Sequence, residues 1–207
     1  MVFYLRTLTL TVLLMFTSSV FANPVILSIG DSLTFGLGVP PEKAWPQLLE
    51  KKLHVDGFKE AKVINAGSSG ATTAYGLTAL RFHLKRTKPD LIIYALGAND
   101  GLRAIAPETI YQNISQAITE IQKANIPVIL LGMKAPPNYG ETFPKEYENV
   151  FTRVVEEKKI PFIPFLLEGV AGEVSLNQAD GIHPNEQGYE IIFNHIYPNI
   201  KEQLHNK

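Results

Sequence analysis

The chain has 207 residues, 45% apolar and 19% charged, enough for one domain with a core of its own. A net charge of -1 supplies no basic face and so excludes recognition of nucleic acid through a phosphate-binding surface. Cysteine is absent, which excludes disulfides, thiolate metal centres and a lipid carried on an amino-terminal cysteine.

Residues 1–22 differ from the rest. Arg6 is their only charge, and an apolar run from Leu8 to Val20 leads into Val20-Phe21-Ala22. Small residues at the first and third positions before a cut fit signal-peptidase cleavage after Ala22. An uncleaved membrane anchor is the rival reading. The run is short and rich in threonine for a span, which needs about 20 apolar residues. The expectation is a signal peptide over 1–22 and a mature domain over 23–207, periplasmic or secreted, with no membrane span after cleavage.

A strand is expected from Pro24 to Ile29. It runs into Gly30-Asp31-Ser32-Leu33, with Gly36 and Gly38 beyond. A helix follows from Glu42 to His54, with Trp45, Leu48, Leu49 and Leu53 on one face. Ala61 to Asn65 reads as a second strand, entering the small-residue loop Ala66-Gly67-Ser68-Ser69-Gly70. Thr72 or Thr73 is expected to cap a helix reaching Arg86. Leu91 to Leu96 is continuously apolar, as a central parallel strand covered on both faces should be. It ends at Gly97-Ala98-Asn99-Asp100-Gly101. Pro107 opens a helix to Ala124, with Ile110, Ile114, Ala117, Ile118 and Ile121 on its inner face. A fourth strand covers Pro127 to Leu131, and Lys134 to Phe143 is irregular. Then come a helix from Lys145 to Lys158, a short strand near Ile160 to Ile163, and a short helix over Pro164 to Val170. The loop Asp180-Gly181-Ile182-His183-Pro184-Asn185 precedes a last helix from Glu186 to Gln203. No repeat or linker divides the chain. Strands alternating with helices predict an α/β fold with a parallel sheet between helical layers. Ligands on such a sheet bind beyond the carboxyl ends of its strands.

Chemistry-bearing residues fall at those ends. Ser32, lifted on a turn after a strand, has the placement of an acyl-transfer nucleophile, although Asp-Ser there is also a common helix cap. His183 sits in a loop that can reach back over the sheet edge, whereas His54, His83, His195 and His205 fall in or at the end of predicted helices. Asp180, three residues before His183, could hold the imidazole N–H. The same pair could form a turn or half of a metal site, but no second histidine stands at ligand spacing. Gly67 could offer a bare backbone N–H and Asn99 its amide to an oxyanion, with the Ser32 N–H as a third donor. Taken singly, Gly67 also fits a plain turn and Asn99 an Asx-turn or cap. Other nucleotide and hydrolase motifs fail. Gly30-Asp31-Ser32-Leu33-Thr34 lacks the last glycine of Gly-x-Ser-x-Gly, and no lysine follows Gly36 or Gly38 as a phosphate loop requires.

Four blocks together, Gly-Asp-Ser-Leu at 30–33, Asn-Ala-Gly at 65–67, Gly-Ala-Asn-Asp at 97–100 and Asp-Gly-Ile-His-Pro-Asn at 180–185, resemble those of the GDSL, or SGNH, hydrolases, in the family's order. The resemblance spans about the whole mature chain. It implies a three-layer α/β/α sandwich on a five-stranded flavodoxin-like sheet, and no cofactor or metal. It also implies catalysis by Ser32, His183 and Asp180, with Ser32, Gly67 and Asn99 forming the oxyanion hole. Gly-Leu-Gly at 36–38, Asn-Asp-Gly-Leu-Arg at 99–103 and Pro-Asn-Tyr-Gly at 137–140 resemble one branch, the bacterial periplasmic multifunctional thioesterases and lysophospholipases. Ala98 departs from that branch's usual glycine and Ala71 from its usual aspartate. The expected activity is hydrolysis of acyl esters, acyl thioesters or lysophospholipids through an acyl-enzyme on Ser32, by a monomer. The apolar-rich loop Pro136 to Phe143 favours medium or longer acyl chains. A carbohydrate O-acetyl esterase is the alternative within the enzymes. A non-catalytic binding protein, which would be expected to lose Ser32 or His183, is the alternative outside them.

Overall fold

Strands covered on both faces should be apolar without alternation, and three segments of this chain have that character. In the computed structural model, which describes residues 23–205, they are β1 (Val25–Gly30), β3 (Leu91–Ala95) and β4 (Val128–Leu131). With β2 (Lys62–Gly67) and β5 (Phe162–Ile163) they form one parallel sheet in the order β2-β1-β3-β4-β5. The leader expected over residues 1–22 lies outside the described residues.

Among the described residues, seven α-helices connect or flank these strands: α1 (Ser32–Phe35), α2 (Trp45–Val55), α3 (Thr73–Leu84), α4 (Ala98–Leu102), α5 (Pro107–Lys123), α6 (Thr142–Lys158) and α7 (Glu186–His205). Right-handed crossovers on this strand order put α2 on one face and α3, α5 and α6 on the other, and α7, which follows the last strand, joins α2. The contacts agree: α2 packs on α7, and α5 packs on both α3 and α6. The five inner-face residues expected of α5, Ile110, Ile114, Ala117, Ile118 and Ile121, are all fully buried. Trp45, Leu49 and Leu53 of α2 are buried likewise. No described helix is long and apolar enough to cross a membrane.

Register positions the functional edge. Gly30 lies opposite Gly67 on one side and Ala95 on the other, so the carboxyl ends of β2, β1 and β3 are level. The chain leaves β1 toward β2 and later returns to β3 on its other side. The crevice of such a sheet opens at that reversal.

Three local expectations are corrected. β2 continues two residues beyond Asn65, because Ser28 and Gly30 of β1 extend the ladder to Asn65 and Gly67. Residues 164–170 form no helix. Turns cover 166–172, with Gly169 at φ +74°, a conformation that ends helical winding. α6 starts three residues before Lys145, at Thr142.

Candidate active site

The residue after β1, Asp31, caps the four-residue α1: its Oδ1 accepts the Leu33 N–H at 3.0 Å. Ser32 therefore occupies the first helical position, and the capping oxygen and the hydroxyl that faces His183 belong to neighbouring residues of the Asp-Ser pair. Ser32 lines a cleft of about 760 Å³. That volume is within the ~300–1,000 Å³ of ordinary small-molecule sites.

His183 Nε2 stands 2.9 Å from Ser32 Oγ, and His183 Nδ1 stands 2.7 Å from Asp180 Oδ2. The remaining Asp180 oxygen accepts the backbone N–H groups of Ile182 and His183, both at 3.0 Å. These bonds, led by the imidazole, hold the Asp180 carboxyl at a pKa of about 2, so it is ionised near neutral pH. An ionised Asp180 accepts a hydrogen bond from the Nδ1–H and leaves Nε2 as the lone-pair nitrogen facing Ser32. The other histidines serve elsewhere. His54 and His195 bond the carbonyls of Ala61 and Phe165, and His83 packs edge-on against Phe82.

Asn99, in α4, lines the same cleft. Its amide donates to the Ala71 carbonyl at 3.0 Å, which fixes the side chain and leaves its second N–H. The next residue locks α4 against α3. Asp100, fully buried, accepts from the Thr73 N–H at 2.9 Å and the Thr73 hydroxyl at 2.6 Å. Of the two positions expected to cap α3, Thr72 makes no side-chain bond there and the Thr73 hydroxyl goes to Asp100. The cap comes instead from a residue distant in sequence. Burial raises the Asp100 pKa, and the Thr73 bonds oppose that rise.

Gly67 is not brought to the cleft. Its N–H is spent on Asn65 Oδ1 at 3.0 Å, and a Cβ there would lie 2.2 Å from the Phe35 backbone nitrogen. It packs under α1, which explains the glycine by close approach. Of the loop that follows β2, the glycine that lines the cleft with Ser32, Asn99 and His183 is Gly70, at φ +78°. Its carbonyl accepts from Arg103 at 3.2 Å, and its N–H, like that of Ser32, has no partner among the described residues. Placing the end of β2 two residues early pointed to Gly67, whereas Gly70 is the one of the two that borders the cleft. The available signal was the run Ser68-Ser69-Gly70, a glycine after two small residues past the strand end.

The rest of the cleft is chiefly apolar, with Leu33, Leu37, Leu102, Met133, Phe165 and Leu167 among its lining. Among the described residues, no group of three or more His, Cys, Asp or Glu is placed to hold a metal ion.

A serine, histidine and aspartate in hydrogen-bonded sequence, at the carboxyl edge of a parallel sheet and under an apolar cleft, define the class of serine hydrolases with an α/β/α fold. Residues 28–191 match the GDSL-like lipase/acylhydrolase family, and the chain belongs to that family. It is 37% identical to Esterase TesA of Pseudomonas aeruginosa over 183 residues, 88% of this chain and 90% of that protein. It is 32% identical to thioesterase 1/protease 1/lysophospholipase L1 of Escherichia coli over 87% of this chain and 85% of that one. Among solved structures, the psychrotrophic esterase EstA from Pseudoalteromonas sp. superposes with a TM-score of 0.83 at 31% identity, covering 88% of this chain and 99% of its own.

Proposed function

We propose that this chain is a serine esterase that hydrolyses acyl esters and thioesters, lysophospholipids included, through an acyl-enzyme on Ser32. The observation that carries the reading is the unbroken Ser32–His183–Asp180 chain opening into an apolar cleft. His183 Nε2 takes the Ser32 proton as Oγ bonds to the ester carbonyl carbon. Asp180 stabilises the imidazolium without taking its proton. The carbonyl oxygen, now an oxyanion, is held by the N–H groups of Ser32 and Gly70 and by the Asn99 amide. Collapse breaks the bond to the leaving alcohol or thiol, which receives the proton from His183. Water, deprotonated by the same nitrogen, then attacks the acyl-enzyme, and His183 returns the proton to Ser32 Oγ as the bond to the acyl group breaks and the acid leaves.

Gly70 replaces Gly67 in this reading because its N–H is unspent and it borders the cleft. The apolar lining supports acyl chains of medium or greater length over acetylated sugars, whose hydroxyls would go unpaired against leucine and phenylalanine. The composition of residues 1–22 supports export of a mature domain over 23–207 to the periplasm or medium.

The test is a paired assay of residues 23–207, wild type and Ser32→Ala, on p-nitrophenyl esters from acetyl to palmitoyl. Activity lost in the variant, with turnover rising from acetyl toward octanoyl, is the expected result. Equal or better turnover of acetylated sugars would move the assignment to a carbohydrate deacetylase. Activity undiminished in Ser32→Ala would remove the serine mechanism.

A further inference from the structure

A hydrogen-bonded ring joins the nucleophile turn to the histidine loop, and one side chain closes it. The loop carrying Asp180 and His183 is pinched at its base by an isolated antiparallel bridge between Asn177 and Pro184. There the Gln178 N–H donates to the His183 carbonyl at 2.7 Å. The Gln178 side chain turns the other way. Its Nε2 donates to the Pro184 carbonyl at 2.9 Å and to the Leu37 carbonyl, 141 residues away in sequence, at 2.7 Å. Leu37 is itself tied to the nucleophile, its N–H donating to the Ser32 carbonyl at 3.1 Å. The path Ser32–Leu37–Gln178–His183 returns to its start through the bond from Ser32 Oγ to His183 Nε2.

Gly38 is cut to fit this side chain. It has φ +81°, and a Cβ there would lie 2.1 Å from Gln178 Oε1. The second glycine of Gly36-Leu37-Gly38 thus leaves the space in which Gln178 reaches the Leu37 carbonyl.

We propose that Gln178 is a positioning residue, whose two donated side-chain bonds set the distance and angle between His183 and Ser32. It acts through the two loops and touches no substrate. The proposal rests on reading Ser32 as nucleophile and His183 as base. Both hydrogens of Nε2 are used, so the role depends on donation, and space filling alone cannot replace it.

Three substitutions separate donation from bulk. Gln178→Glu keeps the size and removes both donors, setting a carboxylate against two carbonyl oxygens. Gln178→Ala removes donors and bulk together. Gln178→Lys changes the shape and keeps N–H donors. The kcat on a p-nitrophenyl ester should fall in the order Gln, Lys, Ala, Glu. The loss for Glu should be about 10- to 100-fold with KM little changed, as for a catalytic group displaced by about an ångström. A space-filling role predicts the reverse, with Glu the mildest and Ala the worst.

The second readout needs no turnover. Proton NMR of the wild type should show a far-downfield N–H signal for the His183–Asp180 bond, absent in His183→Ala. That signal should broaden or vanish in Gln178→Glu at a temperature where circular dichroism shows the fold intact. Wild-type kcat in Gln178→Glu, or a Glu variant milder than Ala, overturns the proposal while esterase activity lost in Ser32→Ala upholds the underlying reading. A wild type inactive on every ester overturns that reading instead. In that case an unchanged downfield signal in Gln178→Glu overturns the positioning role, and a lost signal supports it.

Discussion

Asp31→Asn should make the protein more stable at alkaline pH and leave it little changed at acid pH. The Asp31 side chain is 1% exposed, and only one of its oxygens is bonded, the other having no partner among the described residues. Burial is the main cause that raises its pKa from 3.8 to about 7, against the opposing Leu33 N–H and the attraction of His183. At about 1.4 kcal/mol for each tenfold change in proton affinity, the buried anion is disfavoured by about 4 kcal/mol. The direction follows from linkage. Below about pH 4 both folded and unfolded chains hold the proton. Between about 4 and 7 only the unfolded chain loses it, so stability falls as pH rises, and above 7 the whole penalty is present. Asparagine keeps the oxygen that caps α1 and cannot ionise. Asp100, also raised, is present in both proteins and largely cancels from their difference. Asp180, lowered to about 2, loses its contribution only as pH falls toward that value, outside this window. Urea unfolding from pH 4 to 8.5 measures the effect. The unfolding free energy of the variant minus that of the wild type should climb by about 4 kcal/mol across the range. Parallel curves would refute the claim that burial keeps Asp31 neutral.

Other substitutions separate catalysis from packing. Asn99→Ala should lower kcat about 100-fold or more, the usual loss for one oxyanion donor, as steady-state kinetics on a soluble ester would show. Full turnover in that variant would remove Asn99 from the oxyanion hole. Gly67→Ala should act on stability, since its methyl would meet the Phe35 backbone. A loss of about 1–3 kcal/mol in denaturant titration is expected for such overpacking. Tyr147→Phe removes the bond that the tyrosine hydroxyl donates to the Gly97 carbonyl at 2.7 Å, just before Asn99. Leaving that buried acceptor unpaired should cost about 1–3 kcal/mol of unfolding free energy.

Helical periodicity alone located the buried stripe of α5, because all five of its apolar positions face the same layer. The unbroken apolar run of β3 likewise marked a strand covered on both sides. The approach of Ser32 to Asp180 and His183 was legible as motif order, since Ser32 follows the end of β1 and the other two lie in the loop before α7 that can reach back over the sheet edge. Which glycine of the loop after β2 borders the cleft was not. Two glycines in one small-residue loop differ only in where the strand stops, and that depends on the β1 ladder, not on local composition. The cap on α3 was misplaced for a similar reason. Threonine was the obvious local cap, while the acceptor in the fold is Asp100, 27 residues from Thr73.

The four motif blocks are not held in place by the same forces. Those at 30–33, 65–67 and 97–100 sit at the ends of β1, β2 and β3, where the parallel ladder aligns them as a condition of folding. The fourth has no such support. Only the two-residue β5 precedes it, and turns, one short 3₁₀ segment and an isolated bridge carry the chain from there to α7. Its placement therefore depends on individual hydrogen bonds to the turn that carries Ser32, from Gln178 to the Leu37 carbonyl and between His183 and Ser32. Lesions in the ladder should consequently appear as lost fold. Lesions in the ring through Leu37 and Gln178 should appear as lost turnover in a protein that still folds. A kcat reduced at unchanged unfolding midpoint is the signature that distinguishes the two.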